Sequence, residues 1–187
     1  MTHALFFALV PSENNPEAEE RTARLIDRYG NDVLRVSYLY LRDRQLAEDA
    51  FQEVYLKAYR KYKSFRGLSS EKTWLLRITV NVCKDMLRTS WRKRMLPGLP
   101  PEMASESPGP ERIAFETDEY RRLREAVLAL SPPLKDAVIL YYYKSLDTAE
   151  IAKVLRIREG TVRNRLHRAR HLLKRCLERR GAIEWIR

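Results

Sequence analysis

Between Arg163 and Arg175 the chain carries Arg163, Asn164, Arg165, His167, Arg168, Arg170, His171, Lys174 and Arg175, with no acidic residue among them. These side chains suit duplex DNA. Arginine donates a two-pronged bond to guanine O6 and N7, asparagine meets adenine N6 and N7 in the same way, and either basic type meets phosphate oxygens. His167 and His171 stand four apart and could share a metal ion, but no carboxylate or third ligand lies near them in sequence. Contact with DNA is the better reading, and no metal site is expected.

A second set of candidate side chains lies earlier. Tyr55, Tyr59, Tyr62, Phe65, Trp74 and Trp91 are interleaved with Arg60, Lys61, Lys63, Arg66, Lys72, Arg77, Lys84, Arg88, Arg92, Lys93 and Arg94. Aromatic faces stack on unpaired bases while cations follow the backbone, so the composition fits single-stranded or flipped-out nucleotides. The same aromatics also fit the core of a small helical bundle, and composition leaves both readings open. Chemistry of other kinds finds no residues to carry it. The sequence has no phosphate-cradling glycine motif, no clustered carboxylates for two-metal chemistry, and no H-x-E with C-x-x-C for deamination. Cys83 and Cys176 are the sole cysteines, each inside an apolar helical pattern, and read as buried thiols. No cofactor and no small-molecule substrate are expected.

These side chains must be held by helices. In the C-terminal region Val162, Leu166, Ala169, Leu173 and Cys176 recur every three or four residues, one apolar stripe on a helix from about Glu159 to Arg179. A short amphipathic helix precedes it, with Ala149, Ile151, Ala152 and Leu155 as its apolar side and Asp147-Thr-Ala-Glu150 as a capping box. Short helix, turn and basic helix make a helix-turn-helix, which lays the N-terminal half of its second helix in the major groove. Arg163, Asn164, His167 and Arg168 are therefore base-edge candidates, and Arg165, Arg170 and Lys174 phosphate contacts. Upstream, helices are expected from Glu119 to Leu130 and from Pro133 to Lys144. In the N-terminal region Asn31 reads as the cap of a helix ending near Arg42, followed by helices from Arg44 to Tyr62 and Thr73 to Arg94. The last of these should bury Trp74, Leu75, Ile78, Val82 and Met86. The fold class is all-α.

Charge divides the chain. A net charge of +11, from 36 Lys and Arg against 25 Asp and Glu, favours a polyanionic partner, nucleic acid first and an anionic membrane surface second. The exception is the segment from Met95 to Glu119, acidic and containing Pro97, Gly98, Pro100, Pro101, Pro108, Gly109 and Pro110. Proline at that density excludes a regular helix, so this is a tether between two basic helical modules. The resulting division is a lead (1–20), a first module (21–94), the linker (95–119), a second module (120–180) and a tail (181–187). The run from Ala4 to Val10 is too short to span a bilayer, has no Lys or Arg before it and lacks a cleavage site. It reads as a capping or docking segment of a cytoplasmic protein.

Three segments, in this order, resemble the sigma-70 superfamily of bacterial RNA polymerase promoter-recognition subunits, in its extracytoplasmic-function (ECF) branch. Ala47-Glu-Asp-Ala-Phe-Gln-Glu-Val-Tyr55 is similar to the region 2 segment that docks on the polymerase β′ clamp helices, with Tyr55 in place of the usual Phe. Phe65-Arg-Gly and the stretch from Thr73 to Arg88 resemble the part that recognises and melts the upstream edge of the −10 element. Leu130-Ser-Pro-Pro, Glu150-Ile-Ala-Lys-Val-Leu and Glu159-Gly-Thr-Val-Arg-Asn-Arg-Leu-His-Arg-Ala-Arg170 resemble the −35 reader of region 4.

The resemblance implies that Asp49, Gln52 and Glu53 contribute to the core polymerase contact. It also implies that Asn81, with the Gly67 to Lys72 loop, takes a flipped −10 base, and that Trp74 and Arg77 hold the melted strand. The implied partners are core RNA polymerase, promoter DNA and an anti-sigma factor, often membrane-anchored; the core performs all chemistry. Elements two helical turns apart lie roughly 70 Å from one another, and the linker, fully extended, reaches about 80–90 Å. It must then run nearly straight between the DNA modules. The alternative is a helix-turn-helix regulator that acts on duplex DNA without joining the polymerase. The chain departs from the family pattern in its turn, where Leu155-Arg-Ile157 replaces Leu-Gly-Ile and Arg158 a common Pro.

Overall fold

The computed structural model describes residues 16–62, 65, 67–95 and 118–178, without the side chains of 90–95 and 118–121. The run from Ala4 to Val10, the Pro-rich part of the tether, the Trp91 side chain and the C-terminal tail lie outside the described residues. All regular structure described is helical, and it falls into two compact units divided between Ser107 and Pro108.

The first unit is three helices, α1 (Pro16–Leu41), α2 (Arg44–Lys61) and α3 (Glu71–Met95), each packed on the other two. A helix start at Asn31 is not what forms. Helix α1 runs unbroken through Gly30 and Asn31, because Leu25, Val33, Val36 and Tyr40 keep one continuous buried stripe across them. Burying each such side chain stabilises by about 1.5–3 kcal/mol, more than the roughly 1 kcal/mol a mid-helix glycine costs. Gly30 also faces the Phe51 ring, where a Cβ would be 3.5 Å from the nearest ring carbon. The helix begins at Pro16, within the segment set apart as a lead, and Glu17–Arg21 and Glu20–Arg24 pairs run along its first turns. Asp43 caps α2, accepting from the Leu46 amide at 2.9 Å. Ser70 does the same before α3, its Oγ accepting from the Thr73 amide at 3.1 Å.

The second unit comprises α4 (Asp118–Ala129), α5 (Pro132–Val138), a π-helical turn continuing α5 (Ile139–Tyr143), α6 (Thr148–Leu155) and α7 (Glu159–Glu178). Helix α7 is its spine and touches α4, α5 and α6. Its apolar stripe does not serve α6 alone. Ala169 and Leu173 join Ala126, Val127, Leu130, Leu134 and Val138 in one cluster, with Cys176 at its margin, so the C-terminal half of the stripe packs on α4 and α5. Helix α6 contributes buried Ile151 and Val154.

Candidate nucleic-acid interface

Helix α6 is set by its ends. Asp147 caps it through the full capping box: its carboxylate accepts from the Glu150 amide at 2.7 Å, and Glu150 accepts from the Asp147 amide at 3.2 Å. At the other end Arg156 adopts the left-handed conformation, φ 55° and ψ 48°. The turn therefore keeps the geometry for which glycine is favoured and places an arginine in it, at a cost of about 1–2 kcal/mol. The Ile157 amide closes the turn on the Ala152 carbonyl at 3.1 Å.

Glu159, the first residue of α7, ties the two helices together. Its Oε1 accepts from Thr148 Oγ1 at 2.6 Å and from Arg163 at 2.7 Å. The Thr148 bond first, then Arg163, holds the Glu159 carboxyl below its ordinary range. One oxygen thus joins the first turn of α6 to the first two turns of α7. Glu159 was not among the residues singled out from sequence, and only its contact with Thr148, eleven residues back, gives it this role.

With Val162, Leu166, Ala169, Leu173 and Leu177 buried, the exposed face opposite them is Asn164, Arg168, His171 and Arg175, spaced by four, three and four. His167 is exposed beside it. Arg163 stands at the flank, drawn toward the start of the helix by Glu159, with Lys174 and Arg170 along the same edge and Arg165, half-buried, on the other. Arg170 is engaged within the chain: its Nε donates to the Tyr142 hydroxyl at 2.9 Å and its guanidinium lies 5.7 Å from the Tyr141 ring centroid. The π-helical turn thus reaches the basic helix through its tyrosines. Thr161 is exposed on the same face as Asn164 and Arg168, and its spacing of three and seven residues was the signal available for it.

In the first unit the aromatics separate into two groups. Tyr55 is fully buried, its hydroxyl donating to the Leu25 carbonyl at 3.2 Å, and Tyr59 is buried beside it in sequence. Neither has a face open to a base, and burial pushes the Tyr55 phenol far above its ordinary range. The hydroxyl that distinguishes Tyr55 from phenylalanine is spent on α1. Tyr62, Phe65 and Trp74 form a half-buried cluster, with ring centroids 5.3 to 6.0 Å apart.

On α3, Trp74, Arg77 and Asn81 share one face by register, continued by exposed Lys84 and Arg88. Asn81 is exposed, Trp74 and Arg77 half-buried, and Lys72 lies on the opposite side of the first turn by the same count. Cys83 is buried, which pushes its thiol up to about 11 and keeps it protonated near neutrality. Asp49, Gln52 and Glu53 lie on one side of α2, Asp49 exposed and Glu53 paired with Lys57 at 3.1 Å. Among the described residues no group of three or more His, Cys, Asp or Glu could hold a metal ion. None of the described helices is long and apolar enough to cross a membrane.

Comparison with known proteins agrees with this division. The sigma-70 region 2 family matches residues 25–93, and the sigma-70 region 4 family matches residues 120–173. The ECF RNA polymerase sigma factor SigE of Mycolicibacterium smegmatis is 32% identical over 160 residues, a match covering 84% of this chain and 62% of that protein. The ECF RNA polymerase sigma-E factor of Haemophilus influenzae is 31% identical over 163 residues, covering 82% of this chain and 86% of that one. In fold the chain is similar to the sigma factor RpoE of Bartonella quintana, solved with the anti-sigma factor NepR, at a TM-score of 0.70 and 22% identity over 83% of this chain and 96% of that one. Two helical units matching regions 2 and 4 in order, together with these relatives, establish that the chain belongs to the ECF family of RNA polymerase sigma factors.

Proposed function

We propose that this chain binds core RNA polymerase and directs it to promoters by dividing recognition between its two units. The second unit reads the −35 element as duplex, with α7 in the major groove and Asn164, Arg168, His167 and Arg163 at base edges. Arg165, Arg170 and Lys174 meet phosphates, where a cation adds affinity but little sequence information. The single observation that carries this is the exposed face of Asn164, Arg168, His171 and Arg175 opposite the buried stripe. Thr161 extends that face toward the N-terminus of the helix, the end that meets bases in a helix-turn-helix.

The first unit, residues 21–94 in this reading, supplies the −10 function. Asn81 with the loop before α3 takes a flipped base, while Trp74 and Arg77 steady the melted strand and Lys72 adds charge. Asp49, Gln52 and Glu53 form the polymerase contact on α2. Residues 95–119 join the units, with 120–180 as the −35 module. The chain supplies recognition and melting, and the polymerase supplies the chemistry. It acts in the cytoplasm, and an anti-sigma factor that covers the polymerase-binding and DNA-binding faces is its further partner; a membrane-anchored one would hold it at the inner surface.

The test is transcription by cognate core polymerase, with and without this protein, on promoters whose −10 and −35 elements are varied separately. Transcripts that need the protein and both elements are expected. Tight binding to duplex DNA with no effect on the polymerase would replace this reading with that of an ordinary regulator.

A further inference from the structure

The π-helical turn ends in three successive tyrosines, Tyr141, Tyr142 and Tyr143, and its first two residues anchor it. Ile139 and Leu140 are fully buried, and the Leu146 amide donates to the Leu140 carbonyl at 3.2 Å. On this base Tyr142 stays 54% exposed, its ring set edge-on to that of Tyr141 with centroids 4.9 Å apart. The Tyr142 hydroxyl accepts from Arg170 Nε at 2.9 Å, and the same guanidinium lies 5.7 Å from the Tyr141 centroid. From this juxtaposition we propose that Tyr142 belongs to the −35 interface: its hydroxyl holds the Arg170 guanidinium toward the DNA backbone and donates its own proton to the same phosphate. The proposal rests on the promoter-recognition reading above.

The donors available fit that ligand. An arginine has several N–H donors in a fixed fork, and a phenol both donates and accepts. Tyr142 takes the Nε–H of Arg170, which leaves the two terminal amino groups, the prongs that suit phosphate oxygens. The phenol oxygen is the acceptor in this bond, so its O–H can be given to an anion outside. Both side chains are exposed, and N–H and O–H donors therefore stand side by side at the flank of α7.

What holds Arg170 differs from what holds its neighbours. Along the same edge of α7, Arg163 and Lys174 are paired with carboxylates, Glu159 at 2.7 Å and Glu178 at 3.8 Å. A carboxylate orients a cation but offsets its charge, and a phosphate must displace it. Tyr142 and Tyr141 orient Arg170 with a neutral hydroxyl and the electron-rich ring, so its full charge stays on offer. An arginine ordered beforehand also loses less rotamer freedom when it binds. Single π-helical turns recur at functional sites, and this one brings two successive tyrosines to one guanidinium.

The experiment uses holoenzyme formed from the full chain and cognate core, on promoters whose −35 bases and −35 phosphates are varied separately. Tyr142→Phe keeps the ring and removes only the hydroxyl. It is expected to weaken promoter binding by about 10-fold, the low end for a hydrogen bond to a charged group, with the preference among −35 sequences unchanged. In an Arg170→Ala background the same change should cost less than about twofold, since a positioning residue then has nothing to position. Methylphosphonates placed one at a time along the −35 backbone should include one neutral linkage at which wild type and Tyr142→Phe bind equally. Undiminished binding by Tyr142→Phe, an equal loss in the Arg170→Ala background, a loss that follows particular −35 bases, or one that persists at every methylphosphonate would each overturn the proposal. Wild-type holoenzyme indifferent to the −35 element would instead overturn the promoter-recognition reading itself, and the role of Tyr142 with it.

Discussion

The two helices assigned to DNA, α3 and α7, are built in opposite ways. Over residues 73–83 helix α3 is enclosed on most sides: Thr73, Leu75, Leu76, Ile78, Thr79, Val80, Val82 and Cys83 are all buried and Asn81 alone is exposed, while Lys84, Asp85, Leu87, Arg88 and Thr89 beyond them are exposed. Helix α7 buries one stripe and exposes nearly everything else. In the function proposed above, the difference suits two tasks. A helix entering the major groove must offer a broad open face to base edges and to both flanking backbones. A unit that holds a melted strand needs a stiff frame, because the strand is flexible and the protein must supply the geometry. The first unit buries Tyr55 and Tyr59 and keeps Tyr62, Phe65 and Trp74 half-buried beside the loop.

This contrast can be broken most forcefully at the α7 stripe. Leu166→Ala removes a side chain that is 2% exposed and should destabilise the second unit by about 2–5 kcal/mol. Denaturant unfolding of the full chain should show one transition moving while the transition of the first unit stays in place. A single transition that shifts as a whole would mean that the units are not independent.

A finer division is expected in recognition. Asn164→Ala should relax discrimination at one −35 position by about 1–3 kcal/mol if its contact is a good two-bond one. Asn81→Ala should impair −10 selectivity and strand opening while core binding is retained, and Glu53→Lys should do the reverse. Competition assays against single-base promoter variants, with core affinity measured separately, would check all three. A uniform loss on every sequence for Asn164→Ala would assign it to phosphate instead.

The turn between α6 and α7 offers a gain rather than a loss. Arg156→Gly relieves a left-handed arginine and should stabilise the second unit by about 1 kcal/mol, read as a rise in its melting temperature. If Arg156 also contacts DNA, −35 affinity will fall while stability rises, and the two measurements separate these effects.

The smallest expected effect is at Glu159. Its carboxyl is held below the ordinary value in the folded chain, so the stabilisation it provides is complete above its unfolded value near 4.5 and is lost as pH falls through the folded value. Glu159→Gln should lower the melting temperature of the second unit slightly at neutral pH, with the gap from wild type narrowing as pH falls below 4.5. A gap that stays constant as the carboxyl is protonated would mean that charge is not what joins Thr148 to Arg163. The same variant should alter −35 affinity by freeing the Arg163 side chain.

Sequence alone determined the helical class, the basic helix α7, the capping box of the short helix before it and the division into two modules. Each of these rests on local periodicity, capping chemistry or proline density, which are written along the chain within a few residues. It also exposed the anomaly at Arg156, because left-handed backbone has a known residue preference. The tertiary structure decided what distance in sequence conceals. Asn31 looked like a helix start, yet the stripe from Leu25 to Tyr40 packs on α2 and α3 and carries α1 through it. Tyr55 and Tyr59 looked like candidates for stacking on bases, but helix packing puts them inside. Glu159 gained its part only through Thr148, eleven residues back in the chain. Periodicity records which face of a helix is apolar; which partner covers that face, and which polar groups meet beside it, is settled by long-range packing.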